Sequence, residues 1–242
     1  PCSTRRLSIT GDPVKHSLRT ALVLLAAGSI LSAGVASAGA PVSCKLVVDP
    51  AGDAGLTTAV SAGPSDDALD LRYVDLAANA TKITGVLGLT KAATTAATAP
   101  NGFRFLLNFT VPGFPVPVFL NATGASKTGV TFSFGKNDPA AGAGLSTLGA
   151  ATGIVDTAKN EIRITAKRTD LKAGGVTVKP GMSLTAINAA SSRDFVAVIT
   201  YADKAAGGKD YTVGAPSCVA VGNEPRPLPH GGPGARLPGP SA

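Results

Sequence analysis

From Cys44 to Val221 the apolar residues recur at every second position in short runs, and the runs are bounded by Gly, Pro, Asn and Asp. Period-two patterning belongs to strands that turn one face inward; a helix would space its apolar residues three and four apart. In Phe103-Arg104-Phe105-Leu106-Leu107-Asn108-Phe109-Thr110-Val111 every odd position is large and apolar. Val130, Phe132 and Phe134 repeat the scheme with Thr131 and Ser133 outward, and Ile162 and Ile164 do so against Arg163 and Thr165. Ile83 to Leu89 and Met182 to Ile187 extend the series. The run Phe195-Val196-Ala197-Val198-Ile199, within Phe195 to Tyr201, is apolar on both faces and predicts a central strand covered on both sides.

Turn chemistry lies between these runs, at Gly135-Lys136-Asn137-Asp138-Pro139, at Asp156 to Asn160 and at Lys179-Pro180-Gly181. No long window carries the spacing of an amphipathic helix, and the Ala and Thr stretch from Lys91 to Pro100 reads as a loop because Pro100-Asn101-Gly102 ends it. About ten short strands in one body predict a single all-β domain, an antiparallel β-sandwich of jelly-roll-like type, over residues 39–222.

The two ends of the chain read differently. Lys15, His16 and Arg19 precede the apolar run Ala21 to Ala36 and the small triplet Ala36-Ser37-Ala38, the three-part layout of a secretory signal peptide over residues 14–38. The expectation is cleavage after Ala38 and a secreted protein that meets a membrane only through that peptide. Gly28, Ser29, Ser32 and Gly34 interrupt the run, which makes an uncleaved anchor the weaker alternative. Acylation of Cys44 has little support, since Pro41-Val42-Ser43 is a poor lipobox. Residues 1–38 are set aside as a leader. Asn223 to Ala242 hold six Pro and four Gly and predict a disordered tail without a sortase signal.

Without the leader the formal charge falls from +7 to +4, with 18 Lys and Arg against 14 Asp and Glu. The remaining cations are scattered, Lys167-Arg168 being the one adjacent pair in the body, so no nucleic-acid partner is expected. Cys2 leaves with the leader. Cys44 and Cys218 then form an even pair in an exported chain, which predicts a disulfide closing nearly the whole domain.

Both histidines, His16 and His230, lie outside the body. A Ser-His-Asp triad, a His-assisted thiolate and His ligation of zinc or haem are thereby excluded from it. What remains for catalysis is a carboxylate pair or Ser with Lys, and a hydrolase would need two facing carboxylates about 5–10 Å apart in a cleft. Most body carboxylates are Asp in turn-like contexts, where Asp is a routine turn former. The reading is of a non-enzyme.

One acidic cluster stands out. Asp49-Pro50-Ala51-Gly52-Asp53 sets two carboxylates across a Pro and Gly turn, Asp66-Asp67 follow in the next loop, and Asp70 begins a strand. Calcium takes several oxygen ligands from flexible loops, so Asp49, Asp53, Asp66, Asp67 and Asp70 are candidate ligands of a structural calcium; the plainer reading is a capped turn and a solvated loop. No other cofactor is expected. The triplets beginning at Asn79, Asn108 and Asn121 are formal glycosylation sequons, but the Ala- and Gly-rich composition is that of a high-GC bacterium, in which their use is not expected.

The order Asp49-Pro50-Ala51-Gly52-Asp53, Leu69-Asp70-Leu71, Gly153-Ile154-Val155-Asp156 and Asn160-Glu161-Ile162-Arg163-Ile164 resembles bacterial secreted β-sandwich modules, namely family 9 carbohydrate-binding modules and the carboxy-terminal module of glucodextranases. The resemblance implies a sandwich fold, an extracellular accessory role and the Asp49 and Asp53 calcium region. It does not carry over a sugar site, because those modules stack sugars on Trp and this chain has none. Two functions are therefore weighed. One is a secreted, non-catalytic protein of the envelope or extracellular space, acting by surface contact or as a structural component. The other is a glycan- or small-ligand-binding module using Tyr73, Tyr201 or Tyr211 with exposed Phe114 and Phe119, which lie in a Pro-rich segment unsuited to a regular central strand.

Overall fold

In the computed structural model the residues described are 44–55, 57, 58, 61, 62, 66–94, 102–125, 129–141, 144–195 and 198–222. The chain separates into the units Pro1–Ala38 and Gly39–Ala242, and every described residue belongs to the second. The leader and tail expectations lie outside the described residues.

Alternation becomes strands as follows. β1 (Val47–Val48), β2 (Thr57–Thr58) and β3 (Ser61–Ala62) are short; β4 (Leu71–Ala78), β5 (Lys82–Leu89), β6 (Phe103–Thr110), β7 (Val118–Ala125) and β8 (Gly129–Asn137) are long. β9 (Leu145–Ala150), β10 (Thr152–Asp156) and β11 (Glu161–Lys167) precede the only helix among the described residues, the six-residue α1 (Arg168–Ala173), and β12 (Ser183–Phe195), β13 (Val198–Ala205) and β14 (Tyr211–Thr212) complete the series. Two antiparallel sheets result, ordered β1-β4-β5-β11-β10 and β13-β12-β6-β7-β8-β9, with β14 on β12 and a separate β2-β3 pair. The protein is an all-β antiparallel sandwich. A single residue, Ala151, separates β9 from β10, so the chain changes sheets there; the Ala151 amide donates to the Phe132 carbonyl at 3.0 Å.

Between the sheets, Leu76, Ile83, Leu87 and Ile164 meet Phe105, Leu107, Phe109, Leu120 and Phe134, all buried. The odd positions of Phe103–Val111 face this core as the alternation predicts. Gly85 sits in the same interior, where an added Cβ would come within 2.6 Å of Leu107 Cδ1 and 2.9 Å of Leu120 Cδ1. Gly85→Val is therefore expected to overpack the core and lower stability by about 1–3 kcal/mol. A urea midpoint equal to that of the parent protein would show that both leucines move aside without cost.

Three expectations are corrected. The run Phe195 to Tyr201 is not one central strand: β12 ends at Phe195, β13 begins at Val198, and these two residues pair across an antiparallel hairpin that places β13 at a sheet edge. The doubly covered strands are instead β5 and β11. Arg163 and Thr165, expected outward to solvent, are 2% and 4% exposed. The cause is a strap, residues 217–222, crossing the outer face of the five-stranded sheet. Val219 packs on Ala77 and Val86, and the Gly222 amide donates to Thr84 Oγ1 at 2.8 Å. Thr84 and Thr165 hydroxyls meet at 2.9 Å, and Glu161 joins the Tyr73 hydroxyl at 2.6 Å to the Arg163 guanidinium at 3.2 Å. Third, β8 continues through Asn137, so the turn expected from Gly135 begins only at Asp138. Residues 91–94 are irregular, as the loop reading of Lys91 to Pro100 requires; residues 95–100 lie outside the described residues.

Cys44, ahead of β1, is bonded to Cys218 in the strap, with a Cα–Cα distance of 5.2 Å and a sequence separation of 174. Beside the bond, Ser217 Oγ donates to the Leu76 carbonyl at 2.9 Å. Tyr211, 1% exposed, accepts the Ala78 amide at 2.8 Å through its hydroxyl and donates to the Ala215 carbonyl at 3.3 Å. Tyr211→Phe would orphan a buried N–H, so a loss of about 1–3 kcal/mol is expected in a denaturant titration; a loss near zero would mean that water replaces the hydroxyl.

Candidate metal centre

β1 and β13 are edge strands of different sheets, and carboxylates gather where they meet. Asp49 follows β1 and extends its ladder, its amide donating to the Arg72 carbonyl at 3.1 Å. The chain then turns through Gly52, at φ 80°, a left-handed conformation that suits glycine. Fully buried Asp70 fixes this turn: its carboxylate accepts the Gly52 amide at 3.0 and 3.1 Å, the Ala54 amide at 3.4 Å and the Thr90 hydroxyl. The turn presents Asp53 beside Asp49. From the opposite sheet comes Asp203 of β13, whose Oδ2 accepts the Leu71 amide at 2.7 Å and whose Oδ1 accepts the Lys204 amide at 2.6 Å.

Asp49, Asp53 and Asp203 each bring an oxygen to within 4.8 Å of the others. A calcium ion bound at about 2.3–2.6 Å from each ligand accommodates such spacings, and carboxylates from loops are its usual donors. Asp49 is only 9% exposed, and its Oδ2 is buried with no hydrogen-bond partner. A buried acceptor normally has a donor, and here either a proton shared with Asp203 or a bound cation can supply what the oxygen lacks. Burial, then the neighbouring charges of Asp203, Asp53 and Asp70, pushes the Asp49 carboxyl up to about 7. Burial likewise raises Asp203 against the lowering effect of its two amide donors.

The five acids singled out in the sequence thus divide. Asp49 and Asp53 are in the cluster. Asp70 lies alongside it, but both of its oxygens are engaged in holding the turn. Asp66 is elsewhere: its Oδ1 caps the Ala68 amide at 3.0 Å and its Oδ2 faces the buried Arg193 guanidinium at 3.9 Å. Asp67 is exposed, and its carbonyl accepts the Lys91 amide at 3.0 Å. Asp203, absent from the candidates, completes the site. Its one local signal is an acid at an inward position of a strand pattern, a placement that needs compensation.

The aromatic candidates do not form a platform. Phe119 is 1% exposed in β7, its ring against Gly135, and Phe114 packs partly buried against the core. Burial removes Phe119 as an exposed ligand contact: β7 starts directly behind Pro117, and the ring lies over Gly135 of β8, where an added Cβ would come within 2.4 Å of it. Tyr73 is half-buried under the Lys45 ammonium, 5.2 Å from its ring centre, and Tyr211 is buried. The Tyr201 side chain lies outside the described residues. A groove of 870 Å³ lies on the outer face of the seven-stranded sheet, and its described lining contains no carboxylate.

Comparison with family models, with curated proteins and with solved structures found no match to this chain. The class that stands is the one the fold defines, an antiparallel β-sandwich with a disulfide-fastened strap.

Proposed function

We propose that this is a secreted, non-catalytic β-sandwich protein of the bacterial envelope or extracellular space that acts through its surface, with calcium tying its two sheets together at Asp49, Asp53 and Asp203. The observation that carries the reading is the unpartnered, buried Asp49 Oδ2 within a triad drawn from both sheets. Calcium outside cells is abundant enough to fill sites with dissociation constants of about 10⁻⁴–10⁻³ M. A disulfide joining the ends of the body suits the same compartment. The non-catalytic reading is supported by the separation of carboxylates from the groove and by a body without imidazole.

Melting with 10 mM calcium and with EGTA tests it. Occupancy at about 10–100 times the dissociation constant is worth on the order of 1.4–2.7 kcal/mol, which raises the midpoint by about 3–10 °C in a domain of this size. The same addition should leave Asp203→Asn unmoved. Equal midpoints for the parent protein in calcium and EGTA would remove the cation from the proposal.

A further inference from the structure

The groove on the outer face of the seven-stranded sheet is built from register. Antiparallel partners share a face, so Ser192 of β12 stands beside Arg104 of β6, Ala190 beside Leu106, and Asn188 beside Asn108. Lys204 of β13 joins the same face opposite Ala190. Two strand spacings and two residue steps separate Arg104 from Lys204, or roughly 12 Å between backbones. These are the two charged residues of the described lining, and both are cations. Arg104 makes no ion pair among the described residues.

Beyond the row that holds Leu106, Ala190 and Lys204, on the side away from Arg104, the groove carries a pair of amides. Asn108 Nδ2 donates to Asn188 Oδ1 at 3.1 Å, and Asn188 Nδ2 donates to the Ala186 carbonyl at 2.8 Å, which fixes the amides as a row. Leu106, at 7% exposure, and Ala190, at 9%, form an aliphatic floor between Arg104 and that amide row. At one rim the chain leaves the ladder after Ala205, so backbone groups of Ala206 to Gly208 line the groove as well. Fixed side-chain amides and the backbone at that rim match the peptide bonds of an extended chain. Small aliphatic residues leave room for its side chains, and the cations select acidic ones.

We propose that this groove binds an extended acidic peptide segment of a partner protein, with Arg104 and Lys204 receiving its carboxylates. The chain's own tail is a poor occupant, because Asn223 to Ala242 carries Arg226 and Arg236 against the single acid Glu224. A saccharide is disfavoured by the lack of an exposed aromatic ring among the described residues, where Val48 and Ile154 are the exposed large apolar side chains. The site deepens the surface-contact reading given above by naming the surface and the kind of partner.

Fluorescence anisotropy with a labelled, end-blocked hexapeptide of alternating Glu and Ala tests the proposal on the calcium-loaded, disulfide-bonded protein. Saturable binding that weakens with salt is expected, while the Lys and Ala counterpart should not bind. Arg104→Ala and the similarly sized Asn188→Asp should each weaken binding about tenfold, and Arg104→Lys less. Melting midpoints equal to the parent's certify that the variants fold. Binding that is absent, indifferent to peptide charge or unchanged in both variants overturns the proposal. Oligogalacturonate binding in place of the peptide overturns it too, in favour of an acidic saccharide. A protein that responds to calcium yet ignores the peptide fails here alone, and the calcium-tied reading survives.

Discussion

Removing the Cys44–Cys218 bond, by the double substitution to Ser or by reduction, is expected to lower stability by about 5 kcal/mol and the melting midpoint by about 10–20 °C. The magnitude follows from the sequence separation of 174: an unfolded chain tied at such distant points loses much of its conformational freedom, and that constraint disappears with the bond. A local loss adds to it. Without the bond, the strap is held by the contacts of Val219 and by the Ser217 and Gly222 hydrogen bonds, and its release would expose Thr84 and Thr165 beneath. Calorimetry before and after reduction measures the total. A midpoint that moves by less than about 2 °C would mean that the covalent closure contributes little beyond the packing around it.

In EGTA the parent protein should lose stability as pH rises, by on the order of 2–4 kcal/mol between pH 4 and pH 8 at Asp49. Asp49 titrates at about 7 in the folded protein against 3.8 as its ordinary value. Well below 3.8 the carboxyl is protonated in both states and contributes nothing. Between the two values the folded protein keeps a proton that the unfolded chain has released, so each step upward in pH favours unfolding. Above about 7 both states are ionised and the full penalty of burying the charge remains. Calcium reverses the slope, because it binds the carboxylate and its benefit grows over the same window. Asp49→Asn separates this effect from the other acids. In EGTA at pH 8 the variant should melt above the parent, and in calcium below it. Parallel pH profiles for the two proteins in EGTA would rule out Asp49 as the source.

The legible part of the fold was the local part. Alternation over Phe103–Val111 and Val130–Phe134 is enforced within each strand by one buried face, and turns at Asp156–Asn160 and Lys179–Gly181 declare themselves through residues that cannot continue a ladder. What covers the second face is not local. Arg163 looks like a solvent residue until Val219 and Gly222, more than fifty positions later, are laid across the sheet. The acidic triad divides in the same way. Asp49 and Asp53 share a turn, and their proximity is written in Pro50 and Gly52. Asp203 reaches them through the pairing of Leu71 with a carboxylate 132 residues away. Asp66 and Asp67 stand close to Asp53 in sequence, but Asp66 caps its own turn, and nearness along the chain proved a poor guide. The groove was equally hidden, since Arg104 and Lys204 come to share one face only through the register of β12 with both of its neighbours.

The bond between Cys44 and Cys218 also decides how the body carries a mechanical load. Tension entering ahead of β1 leaves from the strap through two sulfur atoms, bypassing every residue between them. No strand lies in the path of the force, so no ladder is sheared or unzipped. With the thiols oxidised, the sandwich behaves as an inextensible link under a pull applied at its ends; with them reduced, the same pull would act on the strap and on β1, both held by few hydrogen bonds. The redox state of one cysteine pair thus sets whether the folded body yields under strain.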